Sequence, residues 1–254
     1  MSAVPHQYDD VFFDYVDRGA VRSAHVLVPV VLELLGCRSV LDVGCGTGAW
    51  LSVYRAKGVA DIAGVDGDYV QRGRLMIPAS DYRALDVGRE FDLGRTFDLV
   101  QSLEVAEHIA PSDSRTLIAN LVRHGSTVLF SAAVPGQGGE HHTNERPYEF
   151  WRALFAEHGY APYDCIRPRI TGRRDVEPWY AYNSILYVQS ERAARLGDAV
   201  RHTLVPDGEM IPNVAPLSFR LRAALLRRLP VSVVTRIAVA RHRLTLVRRP
   251  SQHA

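Results

Sequence analysis

Nine residues, Val40-Leu-Asp-Val-Gly-Cys-Gly-Thr-Gly48, constrain this chain more than any others. A short apolar strand from Ser39 to Val43 runs into a turn with glycines at 44, 46 and 48, and Ala49 to Lys57 then reads as a helix. Glycine permits the left-handed backbone that such a turn needs and lets a ligand approach the main chain closely. The helix start that follows offers unpaired N–H groups at the same point.

The pattern then repeats. Strands are predicted at Asp61–Val65, Asp81–Leu85, Phe97–Ser102 and Ser126–Ala133, with helices at Asp68–Met76 and Ser112–Arg123 between them. Ile166–Ile170 and Ser184–Val188 are read as two closing strands, and Pro147–His158 as an amphipathic helix. Alternating strands and helices predict an α/β chain with a mostly parallel sheet covered on both faces. Ligands bind such sheets at the carboxyl ends of the strands, where Asp66, Asp86, Ser102 and the glycine turn all fall. Before this core, Phe12 to Leu35 has helical periodicity, with Pro29 read as the start of a second segment.

The glycine turn alone fits two chemistries. Gly44, Gly46 and Ala49 also satisfy the dinucleotide pattern, and an acid such as Asp66 about twenty residues on is expected in both. The third glycine at 48, the strand-ending Asp86, and Phe97-Asp-Leu-Val-Gln-Ser-Leu-Glu-Val-Ala-Glu-His-Ile109 separate them. In order and spacing this set resembles the class I S-adenosylmethionine-dependent methyltransferases, over roughly residues 38 to 190. The resemblance implies a Rossmann-like, seven-stranded, mostly parallel sheet with an N-terminal helical lid (1–36), a core (37–192) and a basic C-terminal extension (193–254). It implies S-adenosyl-L-methionine as cofactor, with Asp42, Gly44, Cys45, Gly46, Gly48 and Trp50 around its methionine side. Ser102 and Leu103 line the same side, Asp66 and Gly67 hold the ribose, and Asp86 with Val87 reads the adenine. The stretch Tyr15…Gly19-Ala-Val-Arg-Ser-Ala24 and the later Glu177-Pro-Trp-Tyr-Ala-Tyr-Asn183 resemble a bacterial subgroup that modifies natural products and polysaccharides. There the first helix covers the cofactor, which places Arg22 toward the cofactor and Tyr15, Trp179 and Tyr182 toward the acceptor. A nicotinamide-type nucleotide domain without methyl transfer is the alternative.

Methyl transfer from a sulfonium needs alignment above all, and a hydroxyl acceptor also benefits from a base. The polar, glycine-rich segment Val134–Pro147 follows the fifth strand on the ligand side of the sheet. Its His142 is the first candidate base, with Glu145 and Asn144 near enough to orient it or to contact a polar acceptor. His108, just after strand four, is the second, and His141 is read as an acceptor contact or a solvent-facing residue. Glu140, His141, His142 and Glu145 contain metal-ligating types, but adjacent histidines in a glycine-rich loop do not make a fixed-geometry set, so no metal is expected. The expected reaction is O-methylation of a small polar metabolite, a sugar or natural-product hydroxyl or carboxylate. A peptide or lipid-linked glycan acceptor is the alternative.

Composition sets outer bounds. The 254 residues suffice for one α/β domain with extensions, and a net charge of +2 gives no nucleic-acid signature. Three widely spaced cysteines suggest neither zinc nor disulfides, and no apolar leader is recognisable, so a reducing, cytoplasmic setting is expected. No acid follows Glu209, yet nine arginines fall between Arg220 and Arg249. This basic, partly apolar tail reads as a solvated face, a contact with a second copy in a homodimer, or a peripheral contact with an anionic membrane.

Overall fold

The structure is a computed structural model that describes residues 10–230 and 232–239, with side chains from Asp17 onward. One sheet contains β1 (Ser39–Val43), β2 (Asp61–Asp66), β3 (Tyr82–Ala84), β4 (Leu99–Leu103), β5 (Thr127–Ser131), β6 (Tyr160–Tyr163) and β7 (Ile185–Gln189). Their order is β3-β2-β1-β4-β5-β7-β6. The first five pair in parallel, and β7 runs antiparallel to both β5 and β6. The helices are α1 (Asp10–Leu35), α2 (Ala49–Ala56), α3 (Ser114–His124), α4 (Tyr148–Ala156), α5 (Arg167–Ile170), α6 (Pro178–Asn183), α7 (Ser190–Ala193), α8 (Asp198–Arg201) and α9 (Leu217–Leu226), and residues 232–239 are also helical. Thus the Rossmann-like, seven-stranded, mostly parallel sheet expected from the sequence is present.

β4 and β5 are buried along their whole length, as central strands of a two-faced sheet must be. One face is covered by Leu27, Val28 and Val31 of α1 with Leu51 and Tyr54 of α2. The other is covered by Leu117, Ile118 and Leu121 of α3 with Trp151 and Phe155 of α4. The strand order reverses between β1 and β4, so the crevice for a ligand opens over the carboxyl ends of these two.

Three elements differ from the sequence expectation. α1 passes through Pro29 without a break. A proline inside a helix costs roughly 3 kcal/mol, and the complete burial of Leu27, Val28 and Val31 outweighs it. The helix expected at Asp68–Met76 is only a 3-10 turn at Arg72–Arg74. The Met76 amide donates to the Thr47 carbonyl (2.8 Å), which ties this segment to the glycine turn instead of to itself. The strand expected at Ile166–Ile170 is the helical turn α5, and the strand is β6, earlier in the chain. β6 contains Pro162, tolerated there because β6 is the sheet's edge. Arg167 fixes α5: its fully buried guanidinium donates to Asp164 and to the carbonyls of Tyr182 and Pro212.

The C-terminal residues are built onto the core. Arg152 of α4 donates to the carbonyls of Val205, Pro206 and Glu209. α9 lies on the loop after β5, so close that a Cβ on Gly136 would sit 2.1 Å from the Ala223 carbonyl oxygen. No helix among the described residues is long and apolar enough to cross a membrane.

Candidate active site

The glycine turn is anchored from below. The Gly44 and Cys45 amides both donate to the Val65 carbonyl of the neighbouring strand (2.7 and 3.2 Å). Gly44 has φ +84°, and a side chain there would collide with Val105. Gly46 has φ +54° with open space above it, the position where a ligand can lie against the backbone. Cys45 packs its thiol toward Gly64 of β2, so it offers only its main chain to the crevice. Gly48 precedes α2, where Trp50 is buried edge-on to Tyr180 (4.9 Å).

Asp66 ends β2 and is 4% exposed. Its Oδ2 accepts the Gly46 amide (2.6 Å), while Oδ1 accepts the Gly67 amide (2.7 Å) and the Tyr69 hydroxyl. Burial raises its pKa against the pull of these donors. Asp42, beneath the turn on β1, is buried with Oδ2 unbonded, and burial pushes its carboxyl up to about 7 despite the polar Gln101 side chain beside it on β4. Ser102 Oγ is also buried and unbonded, and Leu103 is buried beside it. Asp86 stands in the exposed loop after β3, where it accepts the Gly88 amide (2.9 Å), with Val87 buried next to it. Arg22 of α1 is paired with Glu177, and the Thr47 hydroxyl donates to Asp17 (2.7 Å), which pins α1 onto the turn. Tyr15 lies in α1, but its side chain is outside the described residues.

The second half of the site sits over β4 and β5. These strands are parallel neighbours, so the loops leaving them lie side by side. The Thr143 and Asn144 amides both donate to the Glu107 carbonyl (2.9 and 3.0 Å), which locks one loop onto the other. This brings His108 and His142 edge-to-face, with ring centroids 4.9 Å apart. Glu145 orients His142: its Oε1 lies 2.9 Å from Nδ1. The same carboxylate accepts the Gly136 and Gly138 amides (2.6 and 2.8 Å). Burial pushes the Glu145 pKa up, but these partners outweigh it and hold the carboxyl below its ordinary range. With Nδ1–H directed at Glu145, the imidazole keeps its lone pair on Nε2.

Asn144 is buried and committed to structure: its amide donates to Ala106 and Ser114, and its oxygen accepts from Arg146. His141 is exposed, at φ +58°. Trp179 is half-buried on α6, and Tyr182 stacks edge-on against Phe219 of α9 (5.3 Å).

Several residues at this site were not singled out from the sequence. Glu107 is 1% exposed, and neither of its carboxylate oxygens has a hydrogen-bond partner. Glu104, at φ +58°, accepts from Gln137 (2.7 Å) and Asn183 (3.2 Å), and Asn183 in turn accepts from the Tyr148 hydroxyl (2.9 Å). Val134, Pro135, Tyr148, Asn183 and Phe219 border a cleft of about 360 Å³ beside this network, with α9 as one wall. Both acids fall inside the Phe97–Ile109 run, and their spacing of three after a buried strand is the signal the sequence holds for them.

A family model described as a methyltransferase domain matches residues 18–164, more than half of the chain. No curated protein matches it. Among solved structures, the fold is similar to the sugar N-methyltransferase KedS8 from Streptoalloteichus sp (TM-score 0.56, 19% identity, 74% of this chain and 97% of that one). It is similar to DesVI from Streptomyces venezuelae (0.56, 16%, 73% and 100%). It is also similar to an O-methyltransferase family protein from Burkholderia thailandensis (0.51, 17%, 70% and 59%).

Proposed function

The chain belongs to the methyltransferase-domain family and is an S-adenosylmethionine-dependent methyltransferase; from that premise we propose that it O-methylates a small polar metabolite, a sugar or natural-product hydroxyl or carboxylate. The residues fit the cofactor: Gly46 leaves open space, and Asp42 Oδ2 and Ser102 Oγ are buried polar atoms awaiting partners. Asp42, Gly44, Gly46 and Ser102 would hold its methionine part and Asp66 its ribose. When bound, it supplies a methyl group activated by the sulfonium charge.

The chain's own work is at the acceptor. The observation that carries the reading is the His142–Glu145 pair, opening beside the half of the site that β4 and β5 build. Glu145, ionised and fixed by two amides, orients His142 so that Nε2 faces away from it and activates the acceptor by drawing its proton. The acceptor oxygen then takes the methyl group as the C–S bonding pair leaves with sulfur. Alignment in this crevice supplies much of the rate.

The test uses methyl-labelled cofactor with a panel of hydroxyl, carboxylate and amine acceptors. Label in ethers or esters is expected, and label confined to amines overturns the O-methylation reading. His142→Ala should keep cofactor affinity and lose roughly 100-fold or more in turnover. Unchanged turnover removes His142 from the chemistry.

One observation favours a second reading, a lipid-linked acceptor. Leu217, Leu221, Leu225, Leu229, Val233 and Ile237 are exposed at four-residue spacing along the helical turns of the tail. The arginines around them and the absence of acids after Glu209 complement an anionic lipid surface. Co-sedimentation with phosphatidylglycerol vesicles, weakened by removing residues after 213 and by salt, is the expected result. Equal sedimentation with and without the tail excludes it.

A further inference from the structure

We propose that the loops leaving β4 and β5 form a binding site for one divalent metal ion, ligated by Glu107, His108 and His142 beside the acceptor. One ligand atom from each of the three lies within 4.8 Å of the others. Ligands at roughly 2.0–2.2 Å from a common ion lie about 3.3–4.4 Å apart, so small side-chain rotations bring the three onto one ion.

The second observation is independent of this proximity. Glu107 is 1% exposed, and neither carboxylate oxygen is hydrogen-bonded. An isolated buried carboxylate is among the most expensive groups a protein can hold, and it is retained when paired with a cation or protonated. The partly buried Glu104, just after β4, adds a second carboxylate to the same loop. An ion between Glu107 and the two imidazoles relieves both.

The surroundings have the form that metal-ligating histidines require. A ligating imidazole usually gives its other N–H to a carboxylate, which fixes ring and tautomer. Glu145 does this for His142, and it is itself held by two backbone amides. The Glu107 carbonyl accepts two amides from the loop of His142, so the strand-four and strand-five ligands are set against each other by main chain. This supersedes the ligand set considered from the sequence: His141 is exposed and Glu145 is turned to the far side of the His142 ring.

Two imidazoles and a carboxylate suit Zn²⁺, Fe²⁺, Co²⁺ or Mn²⁺ better than Mg²⁺ or Ca²⁺, which prefer oxygen alone. Three protein ligands leave coordination positions open. An acceptor hydroxyl in an open position would lose its proton more easily through the ion's Lewis acidity. With Nε2 on the ion, His142 would act as a ligand in place of the base, and the acceptor's proton would leave to water. The use of the ion rests on the acceptor-site reading above, but its binding does not.

The experiment is titration of chelator-stripped full-length protein with Co²⁺ and Mn²⁺, read by calorimetry, by the Co²⁺ visible spectrum and by pulsed electron paramagnetic resonance of the Mn²⁺ form. One ion per chain is expected, with nitrogen couplings from histidine in the wild type. Glu107→Gln and His142→Ala should abolish that binding, and Glu145→Gln should weaken it roughly 10–100-fold. Asp66→Ala should leave it intact. Absence of histidine couplings in the wild type, or equal binding by Glu107→Gln and His142→Ala, overturns the proposal. The wild-type spectra decide the matter even where a variant does not fold. If stripped protein still transfers methyl groups and binds no ion, the acceptor reading stands and the metal site falls.

Discussion

Asp66 Oδ2 accepts the Gly46 amide across the crevice at 2.6 Å, so the acid at the end of β2 shapes the glycine turn as well as facing it. Removing it therefore has two effects. Asp66→Ala should weaken S-adenosylmethionine binding by at least about 100-fold, since hydrogen bonds to a charged group are worth roughly 1.5–3 kcal/mol each and more than one is lost. Calorimetric titration checks this. Wild-type affinity in Asp66→Ala would show that the ribose is held elsewhere.

Tyr69 donates its hydroxyl to Asp66 Oδ1, an oxygen that the proposed ribose contact would use. Tyr69→Phe removes one of the two donors on that oxygen, leaving the Gly67 amide. Cofactor affinity should rise by roughly 3–10-fold, the worth of one neutral hydrogen bond of about 0.5–1.5 kcal/mol. A loss of affinity would instead make the hydroxyl part of the bound site.

Gly136 has φ +85° and faces the Ala223 carbonyl with no room for a methyl group. Gly136→Ala should push α9 off the loop of His142. A stability loss of about 1–3 kcal/mol is expected, together with faster proteolysis after residue 213 and lower turnover. Chemical denaturation and limited digestion read the two effects separately.

Asp42 sets a pH dependence. Its carboxyl rises from an ordinary 3.8 to about 7 in the fold, because burial disfavours the charge. Between those values the folded chain holds a proton that the unfolded chain releases, so stability falls as pH rises through this window. Asp42→Asn removes that contribution. Denaturation curves of the variant should gain on the wild type steadily from pH 4 to 7, and a constant difference would mean that Asp42 is ionised in the fold throughout.

The first five strands were legible because each is a short apolar run closed by a turn or an acid. β6 was not, because Pro162 argues against a strand unless the edge position is known, and edges are a property of the finished sheet. Arg167-Pro168-Arg169 became a helical turn because a buried guanidinium collects distant carbonyls, which no local pattern announces. The site divides in the same way. Glu145 lies three residues from His142, so their pairing could be read from spacing. Glu107 and His108 belong to another loop, and only the parallel pairing of β4 with β5 brings them to His142.

The contact between α9 and Gly136 also fixes an order of events. The loop that carries His142 is complete in sequence long before α9 leaves the ribosome, yet the Ala223 backbone is one wall of its place. A nascent chain can close its sheet and form its glycine turn while the acceptor side stays unfinished. Completion of the proposed acceptor side then waits for α9, so a polypeptide released early would take up the cofactor before it could present it to anything.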